Sequence, residues 1–280
     1  MKLSTLLATA AIALFTACNS NETTSKETSK TKEANFDVMA ESFGDLQILR
    51  YQVPGFEKLT AKEKELCYYL YEATMCGRDM IYDQKSKYGI LLRKTIENIY
   101  GTYKGDKTSS EWKQFADYAG RFWFSNGNHH HYGNEKFIPE CSADYFKTLV
   151  MNSDTATLPK DNGESVEAFL TRVNPLLYDL KVEPKCVDLR SGIDNIVASS
   201  NNFYEGVTQK EVEAYYDKMP TTGNAPSWGL NSKVVKENGV VTEKVWKSGG
   251  MYGASIDKIC FWLDKAITVA ENDKQNQTLQ

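Results

Sequence analysis

The residues best suited to chemistry stand together in one short stretch. His129, His130 and His131 are the three histidines of the chain, and they are consecutive. Imidazole titrates near neutrality, so it serves as a general base, a proton shuttle or a metal ligand. Three neighbours on an extended loop point in different directions, however, so they do not make a three-ligand face for zinc. No H-E-x-x-H occurs, and no glutamate stands at helical spacing to complete such a site. The setting of the triplet is more informative. An apolar helix face ends at Phe124, Ser125-Asn126-Gly127-Asn128 turns the chain, and Tyr132-Gly133 follows the histidines. Asn126, His131, Tyr132 and Gly133 thus put donors, acceptors and an aromatic ring on a loop held by a rigid helix, which suits ligand recognition. The alternative is a helix C-cap, with Asn126 or Gly127 left-handed and the imidazoles solvated. Both readings stand at this level.

Other candidates are weaker. Ser248-Gly249-Gly250-Met251-Tyr252-Gly253 precedes a helix but is neither G-x-G-x-x-G nor a P-loop, and reads as a flexible lead into that helix. Asp45, Glu72, Asp79 and Asp83 pair with no histidine or nucleophile at a readable spacing, and read as solvated charge. There is no G-x-S-x-G. Of the six cysteines, Cys67, Cys76 and Cys260 lie in apolar surroundings and read as buried free thiols. No Cys/His spacing suggests zinc.

The elements that must position these groups begin after a leader. Lys2, an apolar run from Leu6 to Phe15, and Thr16-Ala17-Cys18 have the layout of a secretion signal, too short for a membrane span. Phe15-Thr16-Ala17-Cys18 resembles the bacterial lipobox, so residues 1–17 are expected to be removed and Cys18 to carry lipid. Residues 18–35, rich in Ser, Thr, Asn, Glu and Lys, read as a flexible tether. The expected location is the cell envelope, with lipid anchoring to the outer membrane. The remainder, 36–280, carries most of the 16 Tyr, 12 Phe and 5 Trp, enough for a substantial core. Formal net charge is −4 and the basic residues are scattered, which gives no footprint for a nucleic-acid partner.

Capping boxes at Thr60–Glu63, Thr108–Glu111 and Thr208–Glu211 open three helices. In the second, Trp112, Phe115, Ala116, Ala119, Phe122 and Trp123 form one apolar stripe. Further helices are predicted over 88–103, 142–151 and 165–177, the last ended or bent by Pro175. Beta structure is sparse: a hairpin around Asn238-Gly239 and one strand near 46–53. From Ser255 a helix is predicted to bury Ile256, Ile259, Cys260, Leu263, Ile267 and Ala270, then run to Gln280 without a stop signal. That pattern suggests a sequence cut within a helix. The fold class expected is α+β, mostly helical with a small β component.

The triplet also carries a family resemblance. Residues Phe124 to Pro139, reading FSNGNHHHYGNEKFIP, resemble a stretch of the bacterial dipeptidyl-peptidase III family. So do FGDLQILRYQVPGF at Phe43 to Phe56, NFYEGVT at Asn202 to Thr208 and GMYGASIDKI at Gly250 to Ile259, in that order. The resemblance implies a two-lobed zinc aminopeptidase that removes dipeptides from the N-termini of short peptides. In such enzymes zinc sits on an H-E-x-x-x-H helix with a second glutamate motif, and polarises the scissile carbonyl. Neither motif occurs in this sequence. The resemblance therefore implies the N-terminal lobe, inactive alone, with no catalytic or metal-binding residue of its own. It further implies that the segment with His131, Tyr132 and Gly133 borders the peptide cleft, where Tyr132 packs against substrate. Two alternatives are a non-catalytic peptide-binding lipoprotein and a structural envelope lipoprotein.

Overall fold

A computed structural model describes residues 36–220 and 227–280. The signal segment, Cys18 and the tether lie outside the described residues. The chain divides into two units, Met1–Val38 and Met39–Gln280, and the elements below belong to the second.

An N-terminal hairpin pairs β1 (Met39–Phe43) with β2 (Leu46–Leu49) around Gly44, whose φ is +54°. The single strand expected over 46–53 is thus half of a hairpin and ends at Leu49. Helices α1 (Ala61–Cys76), α2 (Arg78–Lys85), α3 (Gly89–Thr102), α4 (Ser110–Ser125), α5 (Ala143–Met151) and α6 (Val166–Tyr178) follow. After a short α7 (Asn195–Ala198) come β3 (Tyr204–Glu205), α8 (Gln209–Tyr216), β4 (Ser232–Glu237) and β5 (Val240–Val245). Strand β4 is central, parallel to β3 and antiparallel to β5. Asn238 and Gly239, at φ 51° and 80°, make the left-handed two-residue turn that the Asn-Gly pair predicts. The fold is α+β, largely helical with two small sheets.

The main core lies among α2 to α6. Phe115, Phe122, Phe146, Phe169, Ile96, Ile99, Leu149 and Val173 are completely enclosed there. The predicted stripe on α4 supplies Trp112, Phe115, Ala119 and Phe122, joined by Tyr118. A smaller cluster, Val207, Val212 and Val234, fixes α8 on the three-stranded sheet. Hairpin β1–β2 rests on α4 at Gly120, where a Cβ would come within 2.9 Å of the Phe43 ring.

The caps at Thr60 and Thr208 are complete boxes. The one expected at Thr108 shifts by a residue. Asp106 Oδ1 accepts both the Thr108 N–H and its hydroxyl at 2.7 Å, so Ser109 caps α4 instead through the Trp112 N–H. Pro175 does not end α6, which continues to Tyr178.

The C-terminal helix is not continuous. Helix α9 (Gly253–Thr268) stops, and α10 (Asp273–Leu279) starts at Asn272, whose side chain accepts from the Gln275 N–H at 2.9 Å. A cap residue inside the polar run thus opens a separate short helix after α9 ends at its C-cap Val269. On α9 the enclosed residue is Ala266, while Cys260 is exposed. The thiol reading is also corrected. Cys67 and Cys260 are exposed and Cys76 is half-buried, whereas Cys141 and Cys186 are the buried ones, and all five are free. The apolar neighbours of Cys67 in sequence face outward on α1: Tyr68, Leu70, Tyr71 and Met75 are all exposed.

Candidate functional site

The loop after α4 is a small hairpin. Helix α4 ends with Asn126 left-handed at φ 53°; the Asn126 N–H donates to Trp123 O and the Gly127 N–H to Phe122 O. That is the Schellman arrangement, which satisfies the last carbonyls and turns the chain. The two ends of the hairpin are tied by His130 N–H to Glu135 O, Asn134 N–H to His130 O and Phe137 N–H to Asn128 O. Its second arm pairs with a later segment, through Lys136 N–H to Pro184 O and Cys186 N–H to Asn134 O. Tyr132 and Gly133 form the tip, with Tyr132 84% exposed.

The inner side of the hairpin closes the end of α6. Asn128 Nδ2 donates to Leu176 O at 3.2 Å. Lys136 is buried, and its Nζ reaches Asp179 O and Val182 O at 2.7 Å and Pro175 O at 3.4 Å. A cation among the terminal carbonyls of a helix answers both their lone pairs and the helix dipole. Burial pushes the Lys136 pKa down.

The three histidines do three different things. His129 is fully enclosed, and its Nε2–H donates to Glu183 O at 2.7 Å. Desolvation lowers its pKa to about 4, with the Glu183 hydrogen bond opposing, so the ring is neutral at pH 7. Ser200 Oγ lies 3.3 Å from the same nitrogen but donates to Lys185 O at 3.0 Å. His129 therefore activates no hydroxyl; it is a strut. His130 Nδ1 accepts from the backbone N–H groups of Tyr132 and Gly133, at 3.2 and 3.0 Å, and so shapes the tip. His131 stands with its ring centroid 4.9 Å from Phe124, 4.5 Å from His130 and 4.3 Å from Tyr132. Burial and His130 lower the His131 pKa.

Two sequence expectations change here. The rings of His130 and His131 stack rather than diverge, because residues 131–133 turn instead of extending. The helix cap is present at Asn126, yet the imidazoles are not solvated: His129 is enclosed and the other two are half-buried. The predicted substrate contacts divide accordingly. His131, Tyr132 and Gly133 come together at the tip, whereas Asn126 sits at the base as the cap.

The histidines do not fit a zinc ion. The Nε2 of His129 is committed to a carbonyl, and His130 Nδ1 to two backbone donors. Among the described residues no three His, Cys, Asp or Glu side chains gather as a ligand set.

Phe124 connects the tip to a groove of about 460 Å³ between β1–β2 and α4, lined also by Phe43, Tyr100, Asp117 and Trp123. The groove depends on β1, for which the sequence carries no clear strand signal. Asp79 and Asp83 are also more than solvated charge. Asp79 pairs with the buried Arg93 at 2.8 Å. Asp83 accepts from Tyr252 Oη at 2.6 Å and Asn202 Nδ2 at 3.1 Å. Tyr252, left-handed at φ 60°, anchors the turn before α9, so that turn is tied down rather than flexible.

Dipeptidyl peptidase 3 of Nematostella vectensis is 26% identical to this chain over 195 residues, which is 65% of the chain. The chain is related to the dipeptidyl-peptidase III family. It spans about a quarter of the length of that curated relative. No family model matches. Among solved structures, dipeptidyl peptidase III from Caldithrix abyssi superposes with a TM-score of 0.47 at 14% identity, over 82% of this chain and 31% of that one. At that score the superposition assigns no residue of this relative of dipeptidyl-peptidase III to a role. The roles of His131, Tyr132 and Gly133 rest on the geometry of the tip alone.

Proposed function

We propose that this chain is the N-terminal lobe of a zinc-dependent dipeptidyl-peptidase that removes dipeptides from the N-termini of short peptides. The lobe contributes peptide contacts and leaves zinc to ligands outside the described residues. The observation that carries the reading is the kinship to dipeptidyl peptidase 3 over 195 residues. An 84% exposed tyrosine on an internally anchored hairpin supports it. In this reading His131 and Tyr132 present an aromatic face to the peptide, Gly133 completes the tip beside them, its missing Cβ leaving room for the Glu135 carboxylate, and Phe124 continues that face into the groove. Asn126 positions the hairpin and does not touch substrate.

The same proposal includes the leader. Residues 1–17 act as a signal, Cys18 carries lipid, 18–35 tether the lobe, and 36–280 form it, on the outer membrane of the cell envelope. The test is mass spectrometry of the native gene product. A mature N-terminus at a lipidated Cys18 and peptides from beyond Gln280 are expected. A product running from Cys18 to Gln280 alone overturns the peptidase-lobe reading in favour of a peptide-binding lipoprotein. An uncleaved leader overturns the anchoring.

A further inference from the structure

Behind the hairpin lies a second cavity, of about 510 Å³, within the range of small-molecule sites. Its wall includes Lys87, Tyr88, Lys181, Glu183, Asn201 and Tyr204. Glu183 is the unusual member. Its backbone is left-handed, at φ 51°, although it is not glycine and precedes Pro184, where extended backbone is the norm. Two hydrogen bonds from the hairpin clamp that turn: His129 Nε2–H on Glu183 O and Lys136 N–H on Pro184 O. One carboxylate oxygen of Glu183 accepts from Ser86 Oγ at 2.8 Å. The other has no hydrogen bond, and no cation stands within ion-pair distance of it among the described residues. The charges of Lys136 and Lys87 act on this carboxylate from beyond ion-pair distance, so its half-withdrawal from water is only partly offset. On the same wall Asn201 gives its amide N–H to Cys186 O, while its Oδ1 is enclosed away from the cavity. The cavity thus holds one acceptor that lacks a donor, the second carboxylate oxygen of Glu183. It is also bordered by Lys87 and Lys181, which enter no ion pair among the described residues, while Arg190 is engaged with Asp188 at 2.7 Å.

We propose that this cavity binds a short peptide by its free ends, the ammonium held by Glu183 and the carboxylate by Lys87 and Lys181. A zwitterion answers both sets of groups, whereas a simple cation meets the lysines and a simple anion meets Glu183. Burial holds the Glu183 pKa above its ordinary value, against the opposing Ser86 hydrogen bond and the charges of Lys136 and Lys87. The choice of a dipeptide as ligand rests on the peptidase reading; the charge pattern does not.

The experiment is calorimetric titration of the whole chain with alanyl-alanine, N-acetyl-alanyl-alanine and alanyl-alanine amide, repeated on Glu183→Gln. The glutamine keeps the shape and the acceptor for Ser86. N-acetylation is expected to weaken binding about tenfold or more, and amidation to weaken it less. Glu183→Gln should bind the free dipeptide no better than the acetylated one. Equal affinity for the free and acetylated forms overturns the proposal, as does undiminished binding by Glu183→Gln or no binding by any of the three. If the variant fails to fold, the three ligands on the unaltered chain still decide. Amine discrimination in a gene product without peptidase activity removes only the peptidase reading. An active product without that discrimination removes only the cavity.

Discussion

The two sides of one hairpin are built on opposite principles. On the inner side Asn128, His129 and Lys136 are buried, and every one of them is tied to a backbone carbonyl of another segment. On the outer side Tyr132 stands in water, with no side-chain hydrogen bond holding its ring. The inner side uses polar side chains as caps for chain ends that have no helical partner left. The outer side exposes aromatic surface at a cost that nothing in the fold repays, the pattern expected of a surface kept for a ligand. Stability and recognition are therefore separable within about ten residues.

The largest test of that separation is His129→Ala. It removes a hydrogen bond from an enclosed carbonyl and leaves a void, so a loss of about 3 to 4 kcal/mol in urea unfolding is expected. A loss below about 1 kcal/mol would mean the strut is dispensable. Acid tests the same residue without truncation. The folded His129 pKa is depressed to about 4, whereas the unfolded chain binds that proton near 6.5. Its contribution is therefore fully present above 6.5 and is lost as pH falls from there to about 4, by on the order of 3 kcal/mol. The difference in stability between the chain and His129→Gln should shrink over that window; a constant difference would contradict the burial. Lys136→Met keeps the stem and strips the ammonium from three carbonyls, for an expected loss of about 2 kcal/mol.

Tyr132→Ala is the smallest change to the fold and the sharpest to function. Stability should stay within about 0.5 kcal/mol, while kcat/KM of the proposed complete peptidase falls several-fold. Unchanged kinetics would remove Tyr132 from the peptide face, and a lowered Tm would make it structural.

Much of this fold was legible because its signals are local. The boxes at Thr60 and Thr208, the Asn-Gly turn and the apolar spacing of α3 to α6 are read within a few residues. Local competition explains one miss: Asp106 takes Thr108 from its cap two residues away. The break before α10 rests on Asn272, one cap among many polar neighbours. The other misses are long-range. Asp83 bonds partners 119 and 169 residues away, so its spacing to them carries no pattern. The Glu183–Pro184 turn is held by His129, 54 positions before Glu183, and by Lys136, 48 positions before Pro184. Of the candidate site, Asn126 was legible as a cap in one of two open readings and Tyr132 as an aromatic on the loop after α4. The enclosure of His129 was not, because nothing in a run of three like residues says which one turns inward.

The most direct test of the central claim is dipeptide release. The native gene product would be incubated with short peptides, and the fragments identified by mass spectrometry before and after chelation. The account predicts dipeptides cut from the N-terminus, lost with the chelator and restored by zinc. Peptides bound but left intact, with zinc present, would contradict it.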